Sequence, residues 1–104
     1  MYFAVITARP KPGTPESKKY STAAIACWIN FEEPVEARRR ALAFINTSAW
    51  RPLKVLEESI INDDHYPPDS PSREYYEQCL IDDEVCVIYT APGRPSRKTK
   101  SIRR

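Results

Sequence analysis

Glycine is almost missing from this chain, with two residues in 104. Loops that cradle phosphate through their backbone need closely spaced glycines, because only glycine turns tightly enough and lets the chain approach. Gly13 and Gly93 stand far apart, so P-loop and dinucleotide-binding fingerprints are excluded. Histidine occurs once, as His65, and no H-x-x-x-H or E-x-x-H pair exists. Cysteine occurs three times, as Cys27, Cys79 and Cys86, without a C-x-x-C pair. The ligand spacings of zinc sites and dithiol redox motifs are therefore lacking. No apolar run approaches the ~18–20 residues needed to cross a membrane. The apolar start, Met1 to Ala8, is short and has no basic leader, so it reads as a strand and not a signal peptide. These absences point to a cytoplasmic protein with no membrane association and no cofactor.

What is present suits one folded domain. Hydrophobic residues make up 41% and charged residues 29%, an ordinary globular balance. The net charge of +2 hides an asymmetry. Residues 1–91 carry ten basic and fourteen acidic side chains, giving −4. Residues 92–104 carry Arg94, Arg97, Lys98, Lys100, Arg103 and Arg104 and no acid, giving +6. The tail lacks a hydrophobic pattern, so burial cannot offset its ordering entropy, and a disordered basic tail is expected after a domain of residues 1–91.

The pattern predicts β-β-α-β-α-β. Residues 2–8 are aromatic and β-branched and stop at Pro10, the mark of a strand. Residues 9–20 hold three prolines and read as a stiff loop. Residues 21–31 alternate, with Ala23, Ile25, Cys27, Ile29 and Phe31 on one face. The other face, Ala24, Ala26 and Trp28, is also apolar, which implies that something covers it. A helix starts at Pro34, favoured at the first turn, and carries Val35, Ala37, Ala41, Leu42, Phe44 and Ile45 as its stripe. Trp50 to Ile61 reads as a strand whose alternation breaks, consistent with a bulge near Leu56–Glu57. After a second proline-rich loop, Ser70 caps a helix with Pro71 at its first position. Residues 85–91 form the last strand, apolar on both parities. Helical crossovers favour right-handed connections between parallel strands. The expectation is an α+β two-layer sandwich: a four-stranded mixed sheet with both helices on one face.

Candidate chemistry is sparse. Asp63, Asp64, His65 and Asp69 share one loop, and Asp63, His65 and Tyr66 are the pocket candidates for a small acid–base enzyme. Adjacent loop residues converge poorly on one ion, and a solvated turn accounts for them. Each cysteine lies in an apolar run, which reads as a buried free thiol in a reducing compartment. A Cys79–Cys86 bridge is the alternative, its geometry left open by the sequence. Burial also disfavours a thiol nucleophile.

Two binding functions remain. An apolar second sheet face needs cover, and a homodimer anchored by Trp28, Tyr2 and Tyr89 would supply it. The leading expectation is thus a small non-enzymatic binding or accessory domain acting by protein association. The alternative is a nucleic-acid-associated protein, its tail residues Arg94, Arg97, Lys98, Lys100, Arg103 and Arg104 neutralising phosphates without sequence preference.

Overall fold

A computed structural model describes residues 1–90 and 101–102. Its elements are β1 (Tyr2–Pro10), α1 (Pro15–Lys19), β2 (Ala23–Ile29), α2 (Pro34–Asn46), β3 (Trp50–Ile60), α3 (Pro71–Asp82), β4 (Glu84–Tyr89) and β5 (Ser101–Ile102). The architecture is α+β, with an antiparallel sheet in the order β3-β1-β2-β4-β5. The expected mixed sheet is corrected. Strands β2 and β3 do run parallel to each other, but β1 lies between them and is antiparallel to both.

The segment expected as a stiff loop contains a short helix, α1. Gly13 takes a left-handed φ of 82°, and Thr14 then caps the short α1 by accepting from the Ser17 amide. Helix α2 is capped by Glu33, whose carboxylate accepts from the Val35 and Glu36 amides at 3.1 and 2.8 Å. That carboxylate also complements the positive end of the helix dipole. Ser70 caps α3 through the Arg73 amide, as its position before Pro71 predicted. The helix ends at Asp83, which takes a left-handed φ of 70°.

The sheet separates two cores. On one face Tyr2, Ala4, Ile6 and Ala8 of β1 meet Ile25, Cys27 and Ile29 of β2 beneath Ala37, Ala41, Phe44 and Ile45 of α2. The two alanines let the helix lie close to the sheet, and Phe44 and Ile45 fill the remaining depth. On the other face Ala26, Trp28, Val85 and Val87 pack with Tyr76 and Cys79 of α3, and with Met1 and Ile61. The helices therefore cover opposite faces, where the crossover rule had placed both on one. That rule constrains connections between parallel strands. It applies to β2–α2–β3 but not to β3–α3–β4, whose strands are antiparallel. The burial of Trp28 decides the second helix's side.

Strand β3 carries two irregularities against β1, between Val5 and Ile6 and between Thr7 and Ala8. The first leaves Leu56 as the extra residue, where the broken alternation predicted a bulge; the second leaves Leu53. Within the basic tail, Ser101 and Ile102 pair with Val87 and Cys86. The remaining tail residues, including all six basic side chains, lie outside the described residues.

Candidate functional site

Strand β3 is the long edge of the sheet. It runs eleven residues, with β1 on one side and no strand on the other among the described residues. Leu53 (49%), Leu56 (55%) and Ile60 (43%) are exposed along it. Two of these are the bulge residues, which no partner position on β1 draws into the ladder. Lys54 registers against Thr7 and Glu57 against Val5, so both sit on the α3 face of the strand. Neither forms an ion pair among the described residues.

The neighbouring acid, Glu58, is engaged on the opposite face. Its carboxylate accepts from the buried Tyr2 hydroxyl at 2.6 Å and from both Nε and Nη2 of Arg38, at 2.9 and 2.6 Å. The Arg38 bond, then that from Tyr2, hold the Glu58 carboxyl below the usual range. Burial, then the bond to Glu58, pushes the Tyr2 hydroxyl far up, so it stays protonated. The cluster fastens β1, α2 and β3 together through three hydrogen bonds to one carboxylate.

The loop candidates make separate contacts. Asp63, Asp64 and His65 are exposed and Tyr66 is half-buried. Asp63 is held by Arg73 at 3.1 Å, and His65 stacks edge-on against Tyr66 at 4.7 Å between ring centres. The Tyr66 hydroxyl instead accepts from Trp28 Nε1 at 3.0 Å. Trp28 also lies against Phe3 and Tyr75, with ring centres 5.1 and 5.3 Å apart. No group of three His, Cys, Asp or Glu able to hold a metal ion occurs among the described residues.

An open surface depression of about 330 Å³ is lined by Arg39, Arg40, Ala43 and Glu84. Both arginines already pair with Glu36, at 2.6 and 3.1 Å. The hydrogen bond from Arg39, then that from Arg40, lowers the Glu36 carboxyl to about 2. Glu36 and Glu84 thus place acidic groups beside both arginines of the depression.

The three expected interface anchors fare differently. Trp28 is buried under α3 and Tyr2 under α2, so neither reaches the surface. The sequence left the second face bare because it did not show which helix would cover it. Tyr89 is half-buried at the end of β4, and burial raises its hydroxyl. Sequence reasoning missed Leu53, Lys54, Leu56 and Glu57. Their signal was the same broken alternation that revealed the bulge: two leucines out of phase, flanked by opposite charges.

All three thiols are buried and free. Cys27 and Cys86 are register partners on β2 and β4, on the α2 face. Cys79 belongs to the α3 face and donates to the Trp28 carbonyl at 3.1 Å. The sheet separates it from Cys86, which removes the Cys79–Cys86 bridge. Burial pushes the Cys79 thiol up to about 12.

No helix among the described residues is long and apolar enough to cross a membrane. Comparison of the chain with family models, with curated proteins and with solved structures found no match.

Proposed function

We propose that this chain is a small association domain that works without catalysis, and that its partner is a second copy of itself bound along the free edge of β3. The carrying observation is the charge order of that edge. Lys54 precedes and Glu57 follows the Val55–Leu56 step, both on one face and neither in an ion pair among the described residues. An antiparallel pairing about a two-fold axis at that step sets Lys54 of each copy against Glu57 of the other. Opposite charges placed directly across a ladder contribute about 0.2–1 kcal/mol each. The exposed Leu53, Leu56 and Ile60 add apolar area to bury. Bulges bend an edge and disfavour pairing with an arbitrary strand; a second copy carries the same bend.

The reading also fits the polar groups elsewhere. Glu58, Glu36 and Asp63 are each bound to arginine, which supports structural roles over catalytic ones. Light scattering over a concentration series tests the proposal. The chain should pass from one-chain to two-chain mass as concentration rises. Lys54→Glu should move that midpoint up roughly 5- to 150-fold, the effect of about 1–3 kcal/mol when two pairs become repulsive. A one-chain mass throughout would overturn it.

A second reading, nucleic-acid association, is favoured by the six basic residues and absent acids of 92–104. Binding to DNA or RNA at low salt that disappears on truncation after Ala91 supports it. Equal, negligible binding by both chains ends it.

A further inference from the structure

We propose that Cys27 and Cys86 are a disulfide site, a cross-strand pair that closes to one cystine when the chain folds in the presence of a small-molecule disulfide such as oxidised glutathione. The register of β2 and β4 sets the two residues directly opposite each other. Both side chains point to the α2 face, and their sulfurs lie 3.0 Å apart. That is within about one ångström of the bonded separation of about 2.05 Å. Each residue is 0% exposed and belongs to the apolar core that β1, β2 and α2 share.

The other uses of such a pair fit less well. A metal needs more donors, and none of the third-ligand groups of His, Cys, Asp or Glu is present among the described residues. Cys79 is on the far side of the sheet with its own acceptor, the Trp28 carbonyl. The one thiol within bonding reach of Cys86 is Cys27. Closure would link β2 to β4 across a sequence separation of 59 residues, enclosing α2, β3 and α3.

Burial dictates when the bond forms. In the folded chain desolvation, then the bond to Cys27, pushes the Cys86 thiol well up, which suppresses the attacking thiolate. Exchange therefore belongs to the stage before β4 docks on β2, or to its transient opening. One cysteine thiolate attacks a sulfur of the small disulfide, breaking that S–S bond and releasing one small thiol. The second cysteine then attacks the protein-side sulfur of the mixed disulfide and expels the other small thiol. The two cysteines lose two electrons and two protons, and the small disulfide gains both.

The test uses the full chain. Reduced, unfolded protein is refolded with and without oxidised and reduced glutathione, then quenched and alkylated in denaturant. Without oxidant, three alkylated cysteines are expected. With oxidant, a native far-ultraviolet circular dichroism spectrum should accompany one alkylated cysteine, Cys79, and a mass lower by two hydrogens before alkylation. Cleavage at the acidic Asp82–Glu84 turn separates Cys79 from Cys86, so the linked peptides identify the bond. Three alkylated cysteines in the oxidant-refolded chain, a cystine that includes Cys79, a retained glutathione adduct, or a Cys27–Cys86 bond in a chain without the native spectrum would each overturn the proposal.

Discussion

The two faces of the sheet are closed by different means. Helix α2 buries four residues, Ala37, Ala41, Phe44 and Ile45, over the face that carries Tyr2, Ile6, Ile25 and Ile29. Helix α3 buries Tyr76 and Cys79 alone and leaves Leu80 and Ile81 exposed. The α3 face relies instead on an aromatic cluster centred on Trp28, completed by Tyr66 from the preceding loop. The polar atoms are met differently too: on the α2 face the Tyr2 hydroxyl donates to the Glu58 carboxylate, which also accepts from Arg38. Trp28 Nε1 is satisfied by Tyr66, and no buried side-chain nitrogen or oxygen lacks a partner among the described residues.

This comparison breaks first if one face proves dispensable. Trp28→Ala and Phe44→Ala should each cost about 3–5 kcal/mol, read from urea midpoints, because both remove a large, fully buried ring. A loss under about 1 kcal/mol for Trp28→Ala, well below this range, would mean that α3 is not part of the core. Tyr66→Phe sharpens the contrast. It keeps the ring but removes the acceptor of Trp28 Nε1, and should cost about 1–3 kcal/mol. A value near zero would show that this pairing adds nothing to the packing of the rings.

The smallest effect belongs to the outer surface of α2. Glu36 is lowered to about 2 in the folded chain. Its contribution is fully present above the ordinary carboxylate range and is lost as pH falls toward about 2. The pair is solvent-screened, so the effect is slight. Tm measured against pH should fall less steeply at acid pH in Glu36→Gln than in the parent chain, and identical slopes would remove Glu36 from the account.

Much of the local structure was legible. The caps and prolines at Pro34 and Ser70–Pro71 marked both long helices, and parity marked the strands. The Leu56 irregularity was visible as broken alternation; that at Leu53 was hidden behind Pro52. Sheet order and helix side were not legible. Parity places Trp28 on the second face but does not say whether a helix, a loop or another chain covers it. The edge went unread for the same reason, since a strand becomes an edge only through the pairing of all the others.

The most direct test of the association proposal mixes two charge reversals. Lys54→Glu and Glu57→Lys should each dissociate the dimer, because each sets like charges across the two-fold axis. Mixed in equal amounts, the two variants again oppose acid to base at both positions. Light scattering should then recover two-chain mass at a concentration where each variant alone gives one-chain mass. A mixture that stays at one-chain mass, or variants that remain dimeric alone, would contradict pairing along β3.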